Sequence, residues 1–540
     1  MELYTYKTRV MNRLINKILL LILATTLIVA CSKSEAECEP IWNDATIVAY
    51  ANIGQLHSKG DIANLNLSTI CDSVNEQDKA KAKVITAILH SPDTSGIAID
   101  KPAYIAIKEC DRDLVAKDMH IALEISDVAK LDATLKSFVD DFNTAELSIK
   151  GEKRIIDLDA NTAIGYDSKR LIIIYRHADD NNINLRQEVS KYLDYLPADM
   201  SRFGNQDVAI YLDIDKFAKN FTTQTYALDE DEETQSLECN EPYSQYFEEQ
   251  ASAIIGLKFK NGAIALSTDC EGVSEELLSK LKRANTEHIK LLEPSPIALL
   301  NAGINGEAIA ELLDIAFNTM IEEGDIIGAN NELNIYKNIA LGVVSSIDGN
   351  LMLALSEANG KLIDDIIDGK KLVFTTANAL FTADVKDDYI MQNVERYGNG
   401  ILTKGKNNTY SLNAFGNKIN IGQKEQTFYL GINNSADEKS ASVADQEWSN
   451  DILGSYLYAM IDFNKLFKSS FGTSALTNSY NNINDLDTRK LIKLITSNVN
   501  CLYILLNGDG NTLHSEWKLM LNDIESNALK LIVNTVYEQA

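Results

Sequence analysis

Apolar residues form one nearly unbroken run in this chain, residues 18–30, with only Thr25 and Thr26 inside it. A helix needs about 20 such residues to cross a bilayer core, so the run is too short to span one. Elsewhere the apolar positions come in short stretches. Residues 45–51 and 297–302 each read as an opening strand that passes through a short turn into a helix. Residues 147–149, 154–158, 162–166 and 171–175 read as a strand series, with Lys150-Gly151 and Asp167-Ser168 as turns between members. A second series falls at 410–412, 418–421 and 427–431. Lys260-Asn261-Gly262, Asp348-Gly349-Asn350 and Gly508-Asp509-Gly510-Asn511 carry the residues that tight hairpins favour. Helical spacing replaces alternation at Val128, Leu131, Leu135, Phe138 and Val139, with Ser126 or Asp127 as cap, and a matching helix is expected near Asp384. Runs of strands with helices between the runs predict an α+β architecture with largely antiparallel sheets.

The pattern repeats. Lys150-Gly151 recurs as Lys404-Gly405, Leu158 as Leu412, and Glu39-Pro40 as Glu293-Pro294. Leu212-Asp213-Ile214-Asp215-Lys216-Phe217-Ala218-Lys219 meets Ile461-Asp462-Phe463-Asn464-Lys465-Leu466-Phe467-Lys468. These matches keep their order at an offset of about 250 residues, far longer than a solenoid period, so two tandem similar domains are expected. Each would be a largely antiparallel sheet with packed helices, the first over residues 39–291 and the second over 292–540, with Pro294 and Pro296 stiffening the connection. An acidic stretch, residues 229–233, reads as an exposed insertion of the first copy.

Charge gives the early apolar run its meaning. Lys7, Arg9, Arg13 and Lys17 precede it, and Ile28-Val29-Ala30-Cys31 ends it. A basic segment, an apolar core and small residues are the three parts of an export signal, here residues 1–30, starting at Met1 or Met11. The ending resembles the lipobox of bacterial lipoproteins, in which the cysteine thiol takes the lipid before cleavage. Cys31 is therefore the expected lipidation site, with residues 31–38 as a polar tether. Several acyl chains on one residue hold a protein to a membrane far better than one does. Glu35 and Glu37 behind Cys31 resemble the surface-export signals of Bacteroidetes lipoproteins, a resemblance that implies the surface side of an outer membrane and leaves the periplasmic side open.

Composition narrows the partners. The formal net charge is −28 and grows more negative once the basic leader is removed. Such a chain repels phosphate backbones, so nucleic acid is not an expected partner. It also repels anionic head groups, which leaves the lipid as the membrane attachment. The 7 cysteines form no Cys-x-x-Cys pair, so neither a zinc site nor a dense disulfide framework is indicated.

The features Cys31-Ser32-Lys33, then Asp44-Ala45-Thr46-Ile47-Val48-Ala49, then Ser91-Pro92-Asp93-Thr94-Ser95-Gly96-Ile97-Ala98 and Lys101-Pro102-Ala103-Tyr104 occur in that order. In this the chain resembles a family of Bacteroidetes lipoproteins classed as a domain of unknown function, number 4836. The resemblance implies an exported, lipid-anchored, two-part α+β protein and carries over no functional residues.

Motifs for chemistry are sparse. No phosphate-binding glycine loop, dinucleotide fingerprint or Gly-x-Ser-x-Gly elbow occurs. The 6 histidines are scattered, with no two on one helical turn. Asn507-Gly508-Asp509-Gly510-Asn511 resembles the start of a calcium loop, but Thr512 stands where the loop needs glycine and Lys518 where it needs glutamate. The recurring Asp213 with Lys216 and Asp462 with Lys465 are the candidate binding residues. Their competing explanation is structural: an aspartate at a strand-to-helix junction caps backbone N–H groups. Asp157 and Asp159 alternate along a strand and share its outer side. Trp42, Trp448 and Trp517 lie far apart and read as core more readily than as a ligand-stacking surface. No cofactor or metal is expected. The sequence supports a lipid-anchored cell-envelope protein that binds an envelope protein or glycan without catalysis. The alternative is a hydrolase with an acidic site in a cleft between the two repeats.

Overall fold

The structure is a computed structural model. It describes residues 45–64, 92–110, 116–141, 146–150, 152–157, 161–176, 184–194, 203–217, 247–292, 295–311, 313–314, 331–365, 369–414, 416–437, 447–482, 492–493 and 495–539. The chain divides into two compact units. One is Met1–Ser274 with Asn511–His514 and Ile524–Ala540; the other is Glu275–Gly510 with Ser515–Asp523.

In the first unit β1 (Ile47–Ala51) leads into α1 (Ile53–Gly60), followed by β2 (Ala103–Cys110), β3 (Ala116–Glu124) and α2 (Val128–Asp141). Then come β4 (Glu146–Lys150), β5 (Lys153–Asp157), β6 (Thr162–Tyr166) and β7 (Arg170–Arg176). After these lie α3 (Leu185–Tyr192), β8 (Val208–Asp213), β9 (Phe247–Lys260) and β10 (Ala263–Val273). The strands pair antiparallel in the order β4-β5-β6-β7-β3-β2-β1-β8-β9-β10.

Both faces of this sheet carry core, and the continuous apolar runs of β1 (IVAYA) and β7 (LIIIY within RLIIIYR) match that. Val48, Tyr50, Ala106, Ile172, Ile174 and Ala209 pack with Val189 and Tyr192 of α3 and with Phe203. Ile156, Ile164, Tyr166 and Leu171 pack with Leu131 and Leu135 of α2 and with Ile97 and Ile125. The α3 contact is close: a Cβ on Gly165 would stand 2.0 Å from Val189 Cγ1, so glycine alone fits beneath the helix. Asp127 caps α2 as the sequence predicts, its Oδ1 accepting from the N–H groups of Ala129 and Lys130 at 2.9 and 3.1 Å.

The second unit runs α4 (Glu275–Lys280), β11 (Leu281–Lys282), β12 (Ala298–Asn305), α5 (Asn331–Ser345), β13 (Ile347–Asp365), β14 (Gly369–Val385) and α6 (Tyr389–Gly398). It continues with β15 (Thr403–Lys404), β16 (Thr409–Ala414), β17 (Asn417–Lys424), β18 (Thr427–Ile432), β19 (Leu457–Asp462), α7 (Phe463–Lys468), α8 (Ser470–Asn482) and β20 (Val499–Asp509). Gly510, at φ 57, then turns the chain into β21 (Thr512–Leu521). The antiparallel order is β15-β16-β17-β18-β14-β13-β12-β19-β20. Position for position, this is the order β4-β5-β6-β7-β3-β2-β1-β8-β9 of the first unit. Here too core lies on both faces. Leu299, Met352, Leu380, Tyr458 and Met460 form one part, and Ala383, Val385, Phe428 and Tyr410 with Ile390 and Met391 of α6 form the other.

Two local expectations are corrected. Asp348-Gly349-Asn350 is not a hairpin turn: it lies inside β13, at an irregularity in the register with β14. Gly349 takes φ 140 there, with its α-carbon against Asp384, a conformation that suits a bulge as well as a turn. Asp384 does not begin a helix either. It belongs to β14, and α6 starts at Tyr389.

The last helix, α9 (Ala528–Gln539), belongs to the first unit although it follows the last strand of the chain. Lys530 Nζ lies 2.8 Å from Asp61 just beyond α1, and Asn527 Nδ2 donates to the Phe259 carbonyl at 3.2 Å. No helix among the described residues is long and apolar enough to cross a membrane.

Candidate functional site

The two Asp–Lys corners have one geometry. β8 ends at Asp213, whose N–H donates to the Thr46 carbonyl at 2.9 Å; β19 ends at Asp462, whose N–H donates to Ile297 at 2.7 Å. Thr46 lies one position before β1 and Ile297 one position before β12. Asp213 Oδ1 accepts from the Lys216 N–H at 3.0 Å, and Oδ2 lies 3.1 Å from Lys216 Nζ. Asp462 Oδ1 accepts from the Lys465 N–H at 2.9 Å, and Oδ2 lies 2.9 Å from Lys465 Nζ. Lys465 Nζ also donates to Ser295 Oγ at 2.8 Å. Both carboxylate oxygens in each corner are thus engaged, one with backbone and one with the lysine, as a cap requires.

Beside Asp462, in register across β19 and β20, lies Cys501, a free thiol. Burial pushes the Cys501 thiol up, against the lowering effect of a hydrogen bond with Tyr503. A thiol held up in this way stays protonated and is a poor nucleophile.

A deeper cluster ties β12, β13 and β14 to the turn at His288. His288 Nε2 lies 3.0 Å from Asp384 Oδ1, and His288 Nδ1 lies 2.9 Å from Thr382 Oγ1. Asp384 Oδ2 accepts from the Asn350 N–H at 2.9 Å. Asn350 Nδ2 donates to Asn301 Oδ1 at 3.0 Å, and Asn350 Oδ1 accepts from the Asn285 N–H at 3.1 Å. Burial alone would raise the Asp384 carboxyl. The hydrogen bonds from His288 and the Asn350 N–H, the charge of His288 and the Thr427 hydroxyl outweigh it and hold that carboxyl below its ordinary value. Hydroxyl, imidazole and carboxylate stand in the order of a nucleophile, its base and an orienting group. Thr382 is 0% exposed and His288 3%, however, so the hydroxyl lies inside the packed sheet. The cluster is built to join strands.

The first unit has its own cluster beneath α3. His120 Nε2 lies 2.9 Å from Asp118 Oδ1, and Arg176 Nη2 donates to Asp118 Oδ2 at 2.8 Å. Arg176 Nη1 lies 3.0 Å from Glu188 Oε2, while Tyr192 Oη, 3.3 Å from Glu188, accepts from Lys108 Nζ at 2.6 Å. At Asp118, burial pulls upward, but hydrogen bonding and charge from His120 and Arg176 win and the carboxyl sits low. A separate pair joins Nζ of the half-buried Lys59 to both oxygens of the buried Asp207 at 2.7 Å. These networks left no mark in the sequence, because their members are spread over several strands and share no motif.

Other sequence candidates fall into structural places. Asp157 pairs with Arg186 of α3. Trp448 stacks on Tyr458 at 5.7 Å within the core. Cys270 is buried and disulfide-bonded. Asn507 to Asn511 form the end of β20 and its turn, as the hairpin explanation requires. Cys31 with the leader and tether, residues 1–38, lies outside the described residues, as do Trp42, Asp159 and the acidic stretch 229–233. Among the described residues no group of three or more His, Cys, Asp or Glu side chains is placed to hold a metal ion.

Fold and polar groups together define an α+β protein with large antiparallel sheets, in which Asp118, Arg176, Asp207 and Asp384 join elements to one another. The chain belongs to the family described as Domain of unknown function (DUF4836), whose model matches residues 39–529. No curated protein matches it. Among solved structures, crystal form IV of TP0453 is similar in part, at 12% identity and a TM-score of 0.24 over 42% of this chain and 76% of that one. Crystal form I of TP0453 gives 12% identity and a TM-score of 0.23 over 48% of this chain and 86% of that one.

Proposed function

We propose that this chain is a lipid-anchored cell-envelope protein of the Bacteroidetes type, made of two tandem copies of one domain, that binds an envelope protein or glycan without catalysis. The duplication is supported by the identical strand order of the two units and by the twin corners at Asp213 and Asp462. Export is supported by the leader ending at Cys31 and by the disulfide at Cys270, since such bonds persist in oxidising compartments. The observation that carries the binding reading is where the chemically able groups are spent: Thr382, His288, Asp384, Asp118 and Arg176 hold strands and helices together.

Metabolic labelling with a fatty acid tests the anchor. The wild-type chain should take the label and stay with membranes, while Cys31→Ser should lose both. Label retained in the serine variant would defeat the lipidation assignment. Protease added to intact cells then reports the side: digestion without opening the outer membrane supports the surface, and full protection excludes it. Mild detergent extraction and affinity capture of the wild-type chain tests binding. A stoichiometric protein or glycan companion is expected, and hydrolysis of a glycan or peptide panel by the purified chain would overturn the non-catalytic reading.

A further inference from the structure

Asparagine before glycine is the pair most prone to lose its side-chain amide. With no Cβ on the following residue, its backbone nitrogen can reach the asparagine Cγ, provided the peptide is able to turn. In this chain the pair occurs at Asn261-Gly262, Asn305-Gly306, Asn359-Gly360, Asn399-Gly400 and Asn507-Gly508. The structure sets one of them apart.

At the first, the Gly262 N–H donates to the Ser526 carbonyl at 3.0 Å, and a Cβ there would stand 2.6 Å from the Ile524 α-carbon. At the second, Asn305 Oδ1 accepts from the Ala308 N–H at 3.4 Å, and Gly306 is packed against the Val344 and Ile347 carbonyls. Asn359 Nδ2 donates to Glu357 and Thr376 at 2.6 and 2.9 Å, while the Gly360 N–H donates to Ser470 Oγ at 3.1 Å. Asn507 and Gly508 lie half-buried in β20, where the Gly508 carbonyl accepts from Arg283 at 2.5 Å. In each case the attack requires part of the fold to open first.

Asn399-Gly400 differs on every count. It follows α6 in a turn closed by the N–H groups of Ile401 and Leu402, both donating to the Gly398 carbonyl at 3.0 and 2.8 Å. That turn leaves the Asn399-Gly400 peptide outside its own hydrogen bonds. Both residues are exposed, and among the described residues neither the Asn399 side chain nor the Gly400 N–H has a hydrogen-bond partner. Gly400 has φ 84, and nothing stands within 4 Å of where its Cβ would be, so the peptide has room to rotate.

We propose that Asn399 is a site of spontaneous deamidation in the folded protein. The Gly400 nitrogen gives its proton to water and bonds to Asn399 Cγ. The bond from Cγ to the side-chain nitrogen breaks, and ammonia leaves. Water then opens the resulting five-membered imide at either carbonyl, giving aspartate or isoaspartate at 399. Either product puts a negative charge at the C-terminal end of α6, the end where a helix disfavours anions. Isoaspartate also lengthens the main chain by one carbon at the cap.

The purified full-length chain, aged at mildly alkaline pH, tests this by peptide mass mapping of all these pairs. Folded, Asn399 should convert about tenfold or more faster than Asn261, Asn305, Asn359 or Asn507, because those four must wait for local opening. In strong denaturant the difference should collapse to near equality, which would assign it to the fold and not to neighbouring residues. Conversion at Asn399 no faster than at the other four in the folded chain, or the same preference kept in denaturant, would overturn the proposal.

Discussion

Asp384 and Asp118 are the carboxylates on which the two polar clusters turn. Each is folded into a setting that lowers it from an ordinary value of 3.8. Near that pH the unfolded chain therefore binds more protons than the folded one, and stability rises with pH. The contribution is complete above the unfolded carboxylate range and is lost as pH falls from about 3.8 through the lower folded values. Denaturant titrations across the acid range should show this slope, and Asp384→Asn and Asp118→Asn should each flatten it. At neutral pH Asp384→Asn should cost about 1–3 kcal/mol, the usual penalty for leaving buried partners unmatched. An unchanged acid slope in both variants would mean other carboxylates set it. None of these residues could be chosen in advance. His288 and Asp384 are separated by 96 positions, and a lone histidine on an apolar segment carries no sign of its partner.

Elements were far more legible than contacts. The strand series at β4 to β7, the cap of α2 at Asp127 and the hairpin turns at Gly262 and Gly510 all follow from local signals: alternation, a capping side chain, a residue suited to positive φ. Asp348-Gly349 misled for the same local reason, since a bulge and a turn ask for the same glycine. The helix caps at the two corners give a direct test. Asp462→Ala should destabilise by about 1 kcal/mol through loss of the α7 cap, and Asp213→Ala by a similar amount. Asp462→Asn should recover most of the loss, because its side-chain oxygen can still accept from the Lys465 N–H. Thermal melts of the three variants would decide it. A large loss of partner capture with no change in melting would instead make the corners binding residues.

At the scale of the molecule, chain order and spatial membership part company. α9 ends the chain yet belongs with α1, while α4, which follows the last strand of the first unit, belongs to the second. Ending the chain at Asn527 should therefore raise hydrogen exchange in α1 by about tenfold or more and leave α7 unchanged. Protection lost at α7 instead would place the stabilising role of α9 in the second unit. The sequence by itself determined an α+β pattern, an acidic chain, the two matching series and an apolar run that ends at Cys31. The strand and helix pattern is written in neighbouring residues, within the reach of a turn or a cap, while the charge and the recurrence are read directly along the chain. Tertiary structure alone decided which distant strands pair, that core covers both sheet faces, and where His288, Asp384 and α9 find their partners. Those outcomes depend on packing between segments far apart in the chain, and the free energy of such contacts is not encoded at any single position.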